Sequence, residues 1–363
     1  MKKIKFIILI FTLLITSKSI AQKADSSSFT FSGYVDAYVA YYNDSVGIGN
    51  YQKFPSVSPR SENFGLNVAS ITAKYNSENV RGMVTFHYGD IPRSAWSGNY
   101  NYIQEANAGI RITKKLWLDG GFFRTHVGTE GLFPKENITS SVAVATYFEP
   151  YYEAGFKFNY TATDKLTINL FLLNGYNLYE DNNKKKSVGV LATYAITDKI
   201  SVGYNNYLGD DSPEGDTISR MHLYSNAFLY FEKNKIKIVT GVDFCIQENA
   251  DLKNGKKSAS MFSGVFNMRY AAATKCGVYA RAEFFNDANG FISGVFIDNK
   301  NKLTGLKLFG ATFGVEYKPT DNSYFRIEAR NLMAEKNQEI FWWKNNSKNS
   351  RMEVMLNFGV SFQ

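Results

Sequence analysis

Residues Arg351 to Gln363 read RMEVMLNFGVSFQ, and their side chains alternate in polarity along the whole stretch. The apolar positions are Met352, Val354, Leu356, Phe358, Val360 and Phe362, whereas the intervening positions are mostly polar or small. Successive side chains of a strand point to opposite faces, so the pattern predicts a strand with one apolar and one polar face. A soluble sandwich seldom sustains such alternation for so long, and a tilted strand needs roughly 9 to 11 residues to cross a bilayer. The stretch therefore predicts the closing strand of a membrane β-barrel.

The composition of the 363-residue chain agrees with this prediction. Aromatic residues make up 16% of the chain, with 24 Tyr and 29 Phe, and there are only 7 Pro. Such a composition is typical of an all-strand fold with aromatic girdles at the two membrane interfaces. After the N-terminal segment no apolar run reaches about 18 residues, so the sequence predicts no membrane helix. Only a closed barrel could then lie within a bilayer.

The N-terminal segment has the organisation of a secretory signal peptide. Lys2, Lys3 and Lys5 precede the apolar residues 6–15, and the small-x-small sequence Ser19-Ile20-Ala21 follows. We predict a cleaved signal peptide at residues 1–21 and a barrel domain at residues 22–363. Cleavage removes four of the 41 basic residues and leaves 37 against 33 acidic ones, a net charge of +4. This mild balance gives no support to nucleic-acid binding.

Sixteen segments of the chain have strand-like patterns. They are Phe29 to Tyr42, Phe64 to Tyr75, Val80 to Gly89, Tyr102 to Ile112, Leu116 to Val127, Tyr151 to Tyr160, Leu166 to Leu173, Ser187 to Ala195, Ile200 to Tyr207, Met221 to Phe231, Ile236 to Gln247, Met261 to Tyr270, Gly277 to Phe285, Leu306 to Lys318, Tyr324 to Arg330 and Arg351 to Gln363. The predicted fold is all-β: an antiparallel, up-and-down transmembrane β-barrel of about sixteen strands. The two cysteines, Cys245 and Cys276, fall in predicted strands that are next but one to each other. A disulfide between them is an open alternative, whereas a zinc site is excluded by the number and spacing of the cysteines.

The connections between these strands alternate between short turns and long loops. Turns such as Asn76-Ser77-Glu78-Asn79 are rich in turn-forming residues, whereas long polar loops such as residues 43–63 and 332–350 join the other strand ends. Outer-membrane barrels have short periplasmic turns and long extracellular loops. We therefore predict the outer membrane of a Gram-negative bacterium as the location. The predicted partners are outer-membrane lipids, lipopolysaccharide and the barrel-assembly machinery.

The alternation of side chains between the two faces of a strand, called parity below, assigns charged side chains to the inner face. In Gly277 to Phe285, for example, Ala280 and Ala282 point outward while Arg281 and Glu283 point inward. Lys or Arg facing lipid at the midplane would cost roughly 2 to 4 kcal/mol, so parity is strongly enforced. The predicted pore-lining residues are Glu105, Arg111, Arg124, His126, Arg269, Arg281, Glu283, Arg326, Glu328, Arg330 and Glu353. The excess of Arg over Glu among the inward residues predicts a slight preference for anions.

One predicted strand breaks the parity rule. Asp119 and Arg124 have opposite parity within Leu116 to Val127, so a regular strand would turn one of them toward lipid. Gly within a strand often marks a β-bulge, and we predict a bulge at Gly120-Gly121 that turns both side chains inward. In the alternative, Asp119 lies near the lipid headgroups.

Three segments resemble a known family. They are Phe31-Ser32-Gly33-Tyr34-Val35-Asp36-Ala37-Tyr38, Gln104-Glu105-Ala106-Asn107 and the sequence GGFFRTHVGTE at residues 120–130. With these motifs, essentially the whole chain after the signal peptide resembles the OmpL-like β-barrel porins found mainly in Bacteroidota. The resemblance implies an outer-membrane porin and carries over no catalytic residue.

The third outer loop, residues 128–150, differs from the other loops because it contains the sequence SSVAVATYF at residues 140–148. This segment is too apolar to project freely into water. We predict that the loop folds into the lumen and narrows it, with Glu130, Lys135, Glu136 and Glu149 near the constriction. In the alternative, the loop packs against neighbouring loops or a second subunit of a homo-oligomer.

The sequence indicates neither an enzyme nor a cofactor or metal site. His87, His126 and His222 each stand alone in a predicted strand, with no adjacent nucleophile pattern. A barrel of 16 to 18 strands is wide enough for an aqueous channel. We therefore predict an outer-membrane porin for passive diffusion of small hydrophilic solutes. The alternative is a closed barrel that acts as a binding or structural and adhesion protein.

Overall fold

Hydrogen bonds between sequential strands build a closed sheet. The computed structural model describes residues 27–363 except residues 45, 48, 55 and 56, so the predicted signal peptide lies outside the described residues. Within them, sixteen antiparallel strands form one barrel in which each strand pairs with the next and the last pairs with the first. They are β1 (Ser28–Tyr42), β2 (Asn63–Asn76), β3 (Val80–Tyr88), β4 (Ile103–Thr113), β5 (Leu116–Arg124), β6 (Tyr152–Thr161), β7 (Leu166–Leu173), β8 (Ser187–Ala195), β9 (Ile200–Asp210), β10 (Met221–Lys233), β11 (Ile236–Gln247), β12 (Ala259–Ala271), β13 (Cys276–Asn286), β14 (Lys307–Tyr317), β15 (Ser323–Ala334) and β16 (Ser350–Phe362). The predicted all-β barrel is confirmed.

Strand β16 closes the barrel against β1, where Val360 pairs with Val35 and Phe358 pairs with Ala37. Its apolar side chains point outward, since Met352, Val354, Phe358, Val360 and Phe362 are 42 to 54% exposed. Its other side chains point inward, since Arg351, Glu353, Met355 and Asn357 are at most 2% exposed. The two faces predicted for this strand are therefore present.

Short turns and long loops alternate around the ring, as predicted. At one end, tight turns are closed by backbone hydrogen bonds such as Ser77 N to Val80 O (2.8 Å). At the other end, long connections such as residues 43–62, 125–151 and 335–349 join the strands. These two ends are called the turn side and the loop side below. Among the described residues, no helix combines the length and the apolar character needed to cross a membrane.

The long loops contain short elements that the sequence analysis did not predict. They are helix α1 (Asp90–Ala95), a 3₁₀ helix (Pro134–Glu136), helix α2 (Val144–Phe148), a hairpin of Phe296–Ile297 with Leu303–Thr304, and a hairpin of Phe341–Trp343 with Asn346–Lys348. Elements this short have no sequence periodicity of their own. They form where the loops fold back onto the barrel.

Most of the apolar core lies on the inner side of the barrel, between the wall and the loops that fold inward. One cluster brings Trp96 and Phe133 from two loops against Tyr34 of the wall. A second cluster packs Val144 of α2 against Phe285 and other wall residues. The lumen is therefore partly filled toward the loop side.

The predicted bulge at Gly120-Gly121 is wrong. Strand β5 pairs there without interruption, with Gly121 opposite Asn107 on β4 and opposite Gly155 on β6. Gly121 and Gly155 have φ angles of +133° and +153°, a backbone region that Gly adopts far more readily than other residues. Register shifts occur instead between Asp36 and Ala37, between Thr85 and Phe86, and between Arg111 and Thr113.

Asp119 and Arg124 nevertheless both contact groups inside the barrel. Asp119 is 1% exposed and accepts a hydrogen bond from Arg81 Nε at 2.6 Å. Arg124 is the last residue of β5, and its Nη1 donates to Glu136 Oε1 at 2.6 Å. Asp119 points inward by the same side-chain alternation that buries Phe123, and Arg124 reaches Glu136 from the end of the strand. No extra residue is therefore needed, and Asp119 does not lie near the headgroups.

We expect Gly121→Ala to destabilise the barrel by about 1 to 3 kcal/mol, the usual cost of a strained backbone residue. The added methyl would overlap the carbonyl oxygen of Ala106, and φ is positive there. The urea midpoint of the refolded protein, followed by Trp fluorescence, measures the change. Gly120→Ala is the control, because its methyl would approach the edge of the Phe156 ring rather than a carbonyl oxygen. Equal midpoints for the two variants would contradict the assignment.

Candidate functional site

The connection between β5 and β6 runs through the lumen. This lumen loop, residues 125–151, contains the 3₁₀ helix and α2. Its residues Val142, Ala143 and Val144 are at most 4% exposed. Its polar groups contact inward-facing side chains of β1, β9, β10, β12, β13 and β15. The loop therefore lies inside the barrel, and its position defines the candidate site.

Two carboxylates of the wall accept hydrogen bonds from the backbone of the lumen loop. Glu283 of β13 accepts from Val144 N at 2.6 Å. Glu328 of β15 accepts from Ser140 N at 2.6 Å and from Ser141 N at 3.1 Å. Buried N–H groups need acceptors, and hydrogen bonds to charged groups each contribute roughly 1.5 to 3 kcal/mol. These carboxylates thus fix the middle of the loop to the wall.

Two guanidinium groups of the wall bind carbonyl groups of the same loop. Arg326 donates to the carbonyl oxygens of Pro134, Asn137 and Thr139 at 2.8, 3.1 and 3.0 Å. Arg281 donates to the carbonyl oxygen of Ser141 at 2.7 Å and to Thr139 Oγ1 at 3.0 Å. The rigid fork of guanidinium donors suits this convergence of several oxygens. Acidic and basic residues of the wall therefore supply hydrogen-bond partners for the backbone N–H and C=O groups of the loop.

Strand register holds these anchors in place. Arg326 is directly opposite Glu316 on β14, and its Nε lies 2.8 Å from a Glu316 carboxylate oxygen. Arg330 lies 2.7 Å from Glu283 and 3.6 Å from its cross-strand partner Glu353. Opposite side chains of antiparallel strands are close enough for such pairs. Arg326 and Glu283, which both bind the loop, are thereby each paired with an opposite charge of the wall.

The two glutamates at the ends of the lumen loop are both buried. Glu130 accepts hydrogen bonds from Ala143 N at 2.6 Å and from Asn267 Nδ2 at 2.8 Å. Glu149 is 5% exposed and has a long contact, 3.5 Å, with the hydroxyl of Tyr224. Burial, reinforced by the charges of Asp243 and Glu130, raises the pKa of Glu149 well above its usual range.

His126 fixes the start of the lumen loop to the wall. Its Nδ1 lies 2.8 Å from Glu153 Oε1, and its Nε2 lies 2.7 Å from the carbonyl oxygen of Asn206. Burial alone would lower the pKa of His126, but the Glu153 carboxylate and the hydrogen bonds raise it. Because both ring nitrogens face acceptors, the imidazolium form suits this position.

The 3₁₀ helix places Lys135 and Glu136 against the opposite part of the wall. Lys135 N donates to Tyr34 Oη at 3.3 Å, and Lys135 Nζ lies 4.4 Å from the centre of the Tyr34 ring. Glu136 is ion-paired with Arg124. All four predicted constriction residues are thus part of the loop that occupies the lumen.

The remaining predicted residues are more dispersed. Arg269 pairs with Glu316 at 2.8 Å, and Glu353 pairs with Arg351 at 2.6 Å. Glu105 is half-buried on β4. Arg111 lies apart from the others at the turn side, where it donates to the backbone carbonyl of Lys114 at 3.1 Å.

Several polar groups of the site were not predicted from the sequence. Arg81 and Lys157 flank Asp119 at 2.5 and 3.5 Å. Parity could have identified Lys157, because it is directly opposite Asp119 on β6. Ser140 and Ser141 were interpreted only as part of an apolar segment, although their backbone N–H groups bind Glu328.

Two cavities adjoin the lumen loop. One, of about 240 Å³, lies between the loop and the wall at β8, β9 and β10, and is bordered by Arg124, Glu130, Thr193, Asn205 and Phe228. The other, of about 420 Å³, lies toward the turn side and is bordered by Ser32, Ser70, Thr72 and Lys135. The free space beside the loop is thus bordered by charged and polar side chains together with apolar ones such as Leu191 and Phe228.

Known structures with the same fold are outer-membrane proteins. The outer membrane channel DcaP of Acinetobacter baumannii is 12% identical with a TM-score of 0.62, and the match covers 94% of this chain and 99% of that one. OmpT of Vibrio cholerae is 13% identical with a TM-score of 0.57, and the match covers 94% and 99% of the two chains. A trimer form of that OmpT matches at 11% identity, 93% and 99% coverage, and a TM-score of 0.57.

The sequence comparisons give a more specific result than the fold. A search of curated protein sequences finds no match to this chain. The family model described as "Putative beta-barrel porin-2, OmpL-like" matches residues 28–362. This match confirms both the resemblance noted in the sequence and the predicted location in the outer membrane. The chain therefore belongs to the OmpL-like β-barrel porin-2 family of outer-membrane proteins.

Proposed function

We propose that this barrel lets small hydrophilic solutes diffuse passively across the outer membrane. The observation that best supports the proposal is the lumen loop, which Glu283, Glu328, Arg281 and Arg326 hold against the inner wall. A sixteen-stranded barrel is otherwise wide enough for an open aqueous channel. A loop held across such a barrel sets the width of the path and places charged groups along it.

The predicted pore residues divide into two roles under this proposal. Arg281, Glu283, Arg326, Glu328 and Arg330 are at most 6% exposed and keep the lumen loop in place. Arg124, His126, Glu130 and Glu149 border the cavity of about 240 Å³, and Lys135 borders the cavity of about 420 Å³. Arg124 and Lys135 are the more exposed of these and would meet the solute, whereas His126, Glu130 and Glu149 are at most 8% exposed and also help to hold the loop. The constriction of this proposal lies between the lumen loop and β8 to β10.

The charges that face water in the lumen favour anions. Arg81 and Lys157 share the single carboxylate of Asp119; their side chains are 28% and 26% exposed, whereas that of Asp119 is 2% exposed. Arg269 and Arg326 share Glu316 in the same way, and Arg269 is 23% exposed against 3% for Glu316. Each shared carboxylate leaves an excess positive charge in contact with water. This arrangement supports a slight anion preference.

The outer surface suits a membrane environment. Large apolar side chains are exposed at the turn side, such as Phe29 at 59% and Phe31 at 61%, and at the loop side, such as Trp342 at 51%. We propose that lipids and lipopolysaccharide cover this surface after insertion by the barrel-assembly machinery. The trimer form of the similar Vibrio cholerae OmpT supports a homo-oligomer as a further proposal.

A closed barrel that binds a partner is the alternative function. The observation that favours it is a loop-side cavity of about 560 Å³ bordered by Tyr51, Phe54, Phe148 and Phe296. A cavity walled by aromatic side chains is a common feature of binding sites. Ion conduction distinguishes the two functions, because a closed barrel would carry no current.

We expect deletion of residues 142–147 to raise the single-channel conductance in a planar bilayer. The deletion removes the part of the lumen loop that includes Val144, whose N–H binds Glu283. Deletion of residues 253–256 is the control, because these residues belong to an exposed loop between β11 and β12. An unchanged conductance after the first deletion would contradict the constriction, and no current from the unmodified protein would favour the closed barrel.

We expect the reversal potential in a KCl gradient to have the anion-selective sign. Replacing Lys157 with Gln should shift it toward cation selectivity, because Asp119 would keep one cationic partner instead of two. Lys199→Gln is the matched control, since Lys199 lies in an exposed turn and pairs at 3.6 Å with Asp198, whose side chain is 80% exposed. A cation-selective potential in the unmodified protein would refute the charge argument.

A further inference from the structure

A thiol and an imidazole that the proposed channel does not use meet on the inner wall near the loop side. Cys245 Sγ on β11 lies 2.8 Å from His222 Nε2 on β10. Cys245 is 0% and His222 is 6% exposed. His222 is isolated in the sequence, because more than twenty positions of the chain separate it from Cys245, and the pairing of β10 with β11 brings the two together. Both cysteines of the protein are free thiols.

A second sulfur lies on the neighbouring strand. Met261 on β12 is directly opposite Cys245 and is fully buried. Residues directly opposite on antiparallel strands project to the same face, with their Cβ atoms about 4.5 to 5.5 Å apart. A thiol, a thioether and an imidazole from three adjacent strands therefore face the same part of the inner wall.

The surroundings of this group favour a bound cation. Asp211 Oδ2 lies 3.8 Å from His222 Nδ1, on the side of the ring away from the sulfur. A carboxylate at this position favours the proton on Nδ1, which leaves the Nε2 lone pair directed at Cys245. Asp243 lies two residues before Cys245 and also faces inward, at 4% exposure. Nearby charges are thus negative, and the nitrogen lone pair is available.

We propose that Cys245, His222 and Met261 form a binding site for a soft monovalent cation, Cu(I) or Ag(I). Thiolate and thioether sulfur select soft metals, and imidazole is an accepted third ligand. Among residues 27–363, apart from those left undescribed, no group of three or more His, Cys, Asp and Glu side chains is placed to hold a metal. Structural Zn²⁺ requires four ligands, and Cys245, His222 and Met261 supply only three. A soft monovalent ion accepts two or three ligands.

Binding would proceed by exchange of a proton for the metal. The S–H bond of Cys245 breaks and its proton goes to water, the sulfur–metal bond forms, and neither the metal nor the sulfur changes oxidation state. The imidazole must move away from the sulfur by about 1 Å, since metal–sulfur and metal–nitrogen bonds are each about 2 Å long. The inference does not depend on conduction, so it can fail while the porin proposal stands.

Metal uptake by the refolded Cys276→Ala protein tests the proposal. This variant removes the exposed thiol at the turn-side start of β13 and leaves Cys245 as the single cysteine. Titrated anaerobically with Cu(I) against a chromogenic chelator, it should bind one ion per barrel. Adding Cys245→Ser should abolish uptake. Adding His222→Asn or Met261→Leu should weaken binding at least about tenfold, because even changes outside the ligand set cost that much.

Two controls keep the test decisive. Heat-dependent mobility on a denaturing gel confirms that each variant is folded. X-ray absorption of the Cu(I)-loaded Cys276→Ala protein reports the ligands without further substitution, and one nitrogen and two sulfur neighbours are expected. The proposal is overturned if Cys276→Ala takes up no Cu(I), if any of the three added substitutions leaves binding as tight as in the parent, or if the metal has no sulfur neighbour. In those cases the 2.8 Å contact is a buried thiol–imidazole hydrogen bond alone.

Discussion

Closure of the hydrogen-bond ladder between β16 and β1 is the constraint on which the other features depend. Within a bilayer every backbone N–H and C=O group must be paired inside the protein, and a closed ring of strands satisfies all of them. A closed ring also leaves no freedom of register, because a shift of one residue would turn each apolar side chain inward. The ring therefore decides which charged side chains share the lumen.

The lumen loop follows from the same requirement for paired polar groups. A loop inside a barrel exposes its backbone to an apolar core and to other loops, where unpaired groups are costly. Here the partners come from the wall: Glu283 and Glu328 accept from loop N–H groups, and Arg281 and Arg326 donate to loop carbonyls. The charged residues of β13 and β15 are thus structural supports of the loop as well as parts of the channel lining.

Register also explains the pairs that give the lumen its chemical character. Lys157 is opposite Asp119, Arg326 is opposite Glu316, and Met261 is opposite Cys245. Cross-strand neighbours on one face interact because their side chains project in parallel. An excess of exposed cations over buried carboxylates and a cluster of soft ligands are two consequences of one pairing scheme.

The sequence by itself determined the barrel, its sixteen strands, its short turns and long loops, and the inward direction of Arg281, Glu283, Arg326 and Glu328. These features are local, because alternation and turn composition can be identified within about ten residues. Only the tertiary structure decided how Arg81 reaches Asp119, how Ser140 reaches Glu328, and how His222 meets Cys245. Each of these depends on which strands are neighbours and on contacts between residues far apart in the chain. A periodic pattern contains no information about such contacts, because they are set by closure of the ring.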